Sequence, residues 1–193
     1  LALRKEPFIA DQECSFIVPG KTLSEVSKLL KEEENEVCMV VSHKHIIFKI
    51  DGYNVISRLL EGDFLDYNAA IPKTEKTSIE VSTRMLIEGI ERTSLLISDR
   101  LRSPLKLNMV DEKIKISCNT TMGKAYDEVD CKINGDGINM GFNNKYLLDA
   151  LKASDCDMVK LQINGPVSPM RVVPLEGESF LFLVLPVRVK NDD

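Results

Sequence analysis

I-N-M-G-F-N-N-K-Y-L-L-D-A-L-K-A-S-D-C-D-M-V-K-L-Q-I, residues 138 to 163, carries two periodicities in one stretch. Ile138 to Phe142 reads as a strand, and Leu147, Leu148 and Leu151 then recur at helical spacing before Met158 to Ile163 returns to a strand pattern. Two more strands follow, Met170 to Leu175 and Phe180 to Leu185, set apart by Asn164-Gly165 and Glu176-Gly177. The unit is one strand, one helix and three strands.

The same order occurs twice upstream. Ser78 to Val81 is a short strand, Ser82 or Thr83 is placed to cap a helix, and Leu86, Ile87 and Ile90 line one face of that helix, which ends near Leu96. Leu105 to Val110, Lys113 to Cys118 and Glu128 to Ile133 complete this copy, and Asn134-Gly135 closes it. The first copy starts with Cys14 to Val18, stopped by Pro19-Gly20. Leu23, Val26, Leu29 and Leu30 give its helix; Val37 to Ser42, His45 to Ile50 and Tyr53 to Leu60 give its strands, with Asp51-Gly52 as a turn. Three copies at a spacing of roughly sixty residues are an internal repeat, and the fold class is α+β. A helix of about ten residues is marginal without packing, so two units would share a core and three leave one unpaired.

Composition narrows the class. The chain has 193 residues, 44% apolar and 28% charged, and no Trp, which is ordinary for a globular protein of one or two domains. Its longest apolar run, Phe180 to Val187, is strand-sized, far short of a membrane-spanning helix. No basic-then-apolar leader precedes it, and the chain opens at Leu1, which suggests a piece of something longer. The net charge of -5 excludes a wholesale basic coat. Five widely spaced cysteines without a C-x-x-C pair read as reduced thiols in a cytoplasmic protein.

On the helices, the basic residues lie away from the apolar stripe: Lys21, Lys28 and Lys31 on the first, Arg84 and Arg92 on the second, Lys145 and Lys152 on the third. Glu25, Glu88, Glu91 and Asp149 share those faces. Seven basic against four acidic side chains make the helices the electropositive layer of an acidic chain. Two readings fit, a solvated face or a weak phosphate-facing surface that holds DNA without gripping it.

At this point the chain resembles a known family, the bacterial sliding clamp, the β subunit of DNA polymerase III. The resemblance is carried by Leu1-Ala2, F-I-V-P-G-K at 16 to 21, L-L-E-G-D-F-L-D-Y at 59 to 67 with Ile71-Pro72, G-F-N-N-K-Y-L-L-D-A-L at 141 to 151, and F-L-V-L-P-V-R at 182 to 188. It implies the DNA clamp fold, with helices on one face of antiparallel sheets. It implies that 1–73 form the second half of a middle domain and 74–193 a complete C-terminal domain, in a protein that works as a head-to-tail homodimeric ring.

By that resemblance the helices face double-stranded DNA, and a hydrophobic groove takes short peptides from the replicative polymerase, the clamp loader, repair polymerases and mismatch repair proteins. Carried over by position, the groove would be lined by Leu1, Leu65, Asn143, Tyr146, Val167 and Pro169. Along the C-terminal strand it would add Leu183, Val184, Leu185, Pro186, Val187 and Arg188. The family often has Pro where Leu65 stands and basic residues near Asn68 and Ala69, so this rim is more apolar. Leu95 and Leu96 fall near the ring-closing surface, or form a buried helix end. The resemblance implies no enzymatic activity, no cofactor, no membrane association, and a cytoplasmic, nucleoid-associated location.

Other motifs carry less. His43 and His45 share a strand face with no third ligand near except Cys38, which makes a poor metal site. Gly135, Gly137 and Gly141 miss the dinucleotide-binding spacing. Asn119-Thr120-Thr121 is a chance glycosylation match. The acidic run Glu32 to Glu34 and Glu36 reads as a solvated loop. A small-molecule-binding or hydrolytic α+β enzyme is the alternative class, and it lacks a cluster of acid, base and nucleophile.

Overall fold

The computed structural model describes residues 1–9, 13–30, 36–97 and 103–188. Lys31 and the acidic run Glu32 to Glu34 lie outside the described residues. Contacts divide the chain into two units. The smaller spans Phe8–Asp66, and the larger joins Leu1–Pro7 to Tyr67 onward.

In the smaller unit, helix α1 (Gly20–Leu29) stands over a sheet of β2 (Cys38–Val41), β3 (His45–Ile50) and β4 (Tyr53–Arg58), in the order β2-β3-β4. Val26, Ile46, Phe48 and Ile50 form its core, with Phe16, Val18, Leu29, Val55 and Leu59 packed against them. Asp51 and Gly52, both at positive φ, join β3 to β4 with Ile50 opposite Tyr53. That is the two-residue turn whose twist matches the strands. Cys14–Val18, expected as a strand, forms none. Its backbone bond to the sheet runs from the Leu60 N–H to the Ile17 carbonyl, 2.9 Å, and Pro19 ends it at once. β-rich composition alone does not make a ladder.

The larger unit holds two full repeats. The first is β5 (Thr77–Ser82), α2 (Thr83–Ser94), β6 (Leu105–Val110), β7 (Lys113–Thr120) and β8 (Gly123–Asn134). The second is β9 (Ile138–Phe142), α3 (Asn144–Ser154), β10 (Met158–Ile163), β11 (Met170–Val173) and β12 (Phe180–Val184), with β13 (Pro186–Val187) continuing past Leu185. β1 (Ala2–Arg4) adds to β12, opposite Phe180–Phe182. The strand order is β1-β12-β11-β10-β5-β8-β7-β6-β9-β13, all antiparallel. The two repeats exchange strands: the first strand of each pairs with the second strand of the other, β5 with β10 and β9 with β6. α2 and α3 touch each other and pack on β7, β8, β11 and β12.

Local chemistry explains the helices. Ser82 caps α2, its Oγ accepting the Met85 N–H at 3.4 Å. Asn143 caps α3 by accepting the Lys145 and Tyr146 N–H groups. Asp155, at φ 52°, stops α3 in the left-handed conformation. The alternating faces of β6, β7 and β10 bury Leu105, Leu107, Met109, Ile114, Ile116, Val159 and Leu161 against Leu86, Ile90, Leu147 and Leu151. The strand expected at Glu128 to Ile133 is twice as long, because Gly123–Asp130 pair with β7 and Cys131–Asn134 pair with β5.

The thiols differ by place. Cys14, Cys38 and Cys156 are exposed, Cys118 is buried, and Cys131 sits half-buried where desolvation, with Glu112 and Asp130 nearby, pushes its pKa up to about 11. Burial also raises that of Cys118. Thiolate is the reactive form, so an aromatic disulfide reagent at pH 8 is expected to label Cys14, Cys38 and Cys156 quickly. Cys118 and Cys131 should react only once the chain is unfolded, which peptide mapping of the labelled sites checks.

Candidate functional site

The N-terminus of α3 borders the most chemically mixed concavity of the larger unit. A cavity of about 680 Å³ is lined by Phe142, Asn143 and Tyr146 at this helix start, by Val187 and Arg188 after β13, and by Ile97, Ser103 and Pro104 between α2 and β6. Two local facts shape it. Asn143 spends its carboxamide oxygen on the cap, which fixes the first turn and turns the exposed Tyr146 ring outward. β13 pairs Pro186 with Phe142 and Val187 with Gly141, so the chain end is held beside the same turn.

Four expected groove residues, Asn143, Tyr146, Val187 and Arg188, therefore meet around one cavity. Leu185, between β12 and β13, is exposed next to them. Leu1 and Leu183 are also brought together: the Leu183 N–H donates to the Leu1 carbonyl at 2.8 Å. Val167 is exposed and Pro169 half-buried in the connection from β10 to β11. Leu65 belongs to the smaller unit, where it is exposed. Val184 corrects the expectation. Strand alternation turns Phe180, Phe182 and Val184 into the core and leaves Leu181 and Leu183 on the outer face. Ile97, Ser103 and Pro104 were missed, since they sit in irregular chain with no periodic signal.

The basic helix residues occupy equivalent places. Lys21, Arg84 and Lys145 each stand two residues after a helix cap, and Glu25, Glu88 and Asp149 each stand six after it. Most of the charge is paired. Lys28 meets Glu25 at 2.8 Å, Arg84 meets Glu88 at 2.8 Å, and Lys152 reaches across to Glu91 at 2.7 Å. Arg92 binds Asp127 of β8 at 2.7 Å, an acid from a strand that the helix pattern could not reveal. The Arg84 guanidinium holds the Glu88 carboxyl below the usual carboxylate range. Among the described residues the faces carry six basic groups against five acidic ones, a weaker positive layer than expected. Leu95 is exposed at the end of α2, whereas Leu96 packs against the core.

The comparisons with known proteins decide the family. Residues 68–188 match the model for the DNA polymerase III beta subunit, C-terminal domain, and residues 1–66 match that for its central domain. The chain belongs to the DNA polymerase III β subunit family. The beta sliding clamp of Bacillus subtilis is 33% identical over 97% of this chain and 51% of its own length. That of Staphylococcus aureus is 31% identical over 90% of this chain and 47% of its own. The chain spans about half the length of the curated relatives it matches. The crystal structure of the Bacillus subtilis DNA polymerase sliding clamp superposes with a TM-score of 0.91 at 32% identity, covering 98% of this chain and 51% of that one. The C. crescentus beta sliding clamp gives 0.87 at 25% identity, covering 97% and 50%. The clamp fold expected from the resemblance is the observed one: antiparallel sheets with helices on one face. No helix among the described residues is long and apolar enough to cross a membrane.

Proposed function

We propose that this chain works as part of a non-enzymatic processivity factor. It would be a sliding clamp that encircles double-stranded DNA as a homodimeric ring and tethers the replicative polymerase, the clamp loader and repair proteins by their short peptides. Residues 1–73 would be the second half of a middle domain and 74–193 a complete C-terminal domain, acting in the cytoplasm at the nucleoid. The observation that carries the reading is the exposed apolar trio Tyr146, Leu185 and Val187 at the cavity that Arg188 rims. Apolar walls desolvate an inserted Leu or Phe, while the Arg188 guanidinium and Tyr146 hydroxyl meet the peptide's carbonyl groups. The weakly positive helix faces fit the same role: few unpaired cations give low affinity for phosphates and a shallow salt dependence, which suits sliding.

A fluorescent Q-L-x-L-F pentapeptide is expected to bind the chain with a Kd of roughly 1–100 μM, as short motifs do. Arg188→Ala should weaken it about tenfold, since a hydrogen-bonded charge contributes on the order of 1.5 kcal/mol. Fluorescence anisotropy measures both. Absence of binding by the wild-type chain at roughly 500 μM, well above the expected range, removes the groove assignment.

A further inference from the structure

The smaller unit leaves open what the larger unit seals. Ladder registers align the repeats: Val41 opposes Ile46 and Met39 opposes Phe48 in the smaller unit, as Met109 opposes Ile114 and Leu107 opposes Ile116 in the larger. Val37, Met39 and Val41 are therefore the counterparts of Leu105, Leu107 and Met109. The latter three are 0% exposed, whereas Val37, Met39 and Val41 are 37%, 52% and 40% exposed. Four residues after each helix cap stand Leu23, Leu86 and Leu147. Leu86 and Leu147 are 0% exposed, and Leu23 is 48% exposed. One row of side chains is core in two repeats and surface in the third.

The larger unit also shows what covers that row. Each of its repeats lends its first strand to the second strand of the other. In the smaller unit both halves of this exchange are unfilled among the described residues: β2 pairs with β3 alone, and Cys14–Val18 has no ladder. A repeat that offers both an unfilled first strand and an unfilled second strand is complementary to itself about a two-fold axis, and such a contact closes at two copies. An apolar edge strand of this kind is the sort that finds a partner.

We propose that two copies of this chain associate through their smaller units, β2 of each pairing with Cys14–Val18 of the other and Leu23, Val37, Met39 and Val41 closing a common core. This rests on the internal repeat, independently of the peptide groove. The geometry also predicts a flaw. Nine residues after the helix caps, Glu91 and Lys152 form the 2.7 Å pair that joins α2 to α3, and the residue at this place in α1 is Lys28. In the dimer Lys28 meets Lys28 of the second copy, a like-charge contact eased by Glu25.

Sedimentation equilibrium of the 193-residue chain is expected to give twice the 21.7 kDa chain mass. Met39→Asp with Val41→Asp should raise the dimer Kd at least tenfold, and both positions are exposed, so the unit keeps its fold. Amide exchange at 14–18 and 38–41 should slow as concentration rises. The sharper arm mixes isotopically labelled Lys28→Glu with the wild type. Native mass spectrometry should find mixed dimers above their statistical share, because the introduced carboxylate of one copy facing the Lys28 ammonium of the other restores the Glu91–Lys152 arrangement. A monomer at high concentration, a dimer indifferent to the two Asp substitutions, or purely statistical mixing each overturns the proposal.

Discussion

Gly135→Ala is expected to destabilise the larger unit by about 3–5 kcal/mol, among the largest effects of a single substitution. The residue follows β8 at φ +113°, a conformation that L side chains rarely adopt. A methyl group there would overlap the Lys76 carbonyl oxygen and approach the Thr77 Cα to 2.9 Å. Both obstacles are backbone, so no side chain can rotate away. That backbone is committed on every side: Lys76 N–H donates to Ile163 at 2.9 Å, the Thr77 hydroxyl donates to the Asp136 carbonyl at 2.8 Å, and Thr77 begins the strand that joins the two repeats. Relief would part β5 from β8. Gly52 supplies the control. It also has positive φ in a turn, but a methyl group added there would find nothing within 4 Å, so Gly52→Ala should cost only about 1 kcal/mol of conformational strain. Calorimetry of the two variants should show a midpoint fall on the order of 10 °C in the larger unit for Gly135→Ala and a few degrees or less in the smaller unit for Gly52→Ala. Equal small shifts would mean that the close approach at Gly135 relaxes without cost.

These two glycines show where sequence reading stops. Asp51-Gly52 and Asn134-Gly135 are equally visible as turns, because a turn is a local matter of φ. The crowding that separates their costs comes from Lys76, some sixty residues away, and no local pattern encodes it. The same divide runs through the fold. The helices, and strands such as His45–Ile50 and Leu105–Val110, are legible because their faces repeat with a fixed period. β1 is not, since Ala2–Arg4 is a strand only by virtue of Phe180–Phe182 beside it. Cys14–Val18 errs the other way, with strand composition and no ladder. In the candidate site, the cap at Asn143 and the apolar run ending at Arg188 could be read directly. Ile97 and Pro104 could not, and neither could the Asp127 carboxylate that neutralises Arg92 from a strand 35 residues on.

Phe142→Ala and Tyr146→Ala should separate the fold from the groove. Both side chains line the same cavity, one from below and one from its rim. Phe142 is fully buried in β9 between Leu105 and Pro186, and its ring supports both the core and the short β13 ladder that holds Val187 and Arg188. Truncation there removes a large aromatic from a closed core and should cost about 3–5 kcal/mol. The vacated space lies under the cavity, so the floor sinks and peptide binding falls with stability. Tyr146 is 66% exposed on the first turn of α3, which Asn143 caps without its help. Its removal should leave stability within about 0.5 kcal/mol and still weaken the pentapeptide at least tenfold, as loss of an aromatic anchor does. Urea unfolding paired with anisotropy measures both quantities on the same samples. A Tyr146→Ala chain that binds peptide as the wild type does would show that the loss in Phe142→Ala came from the fold, and that the peptide sits elsewhere.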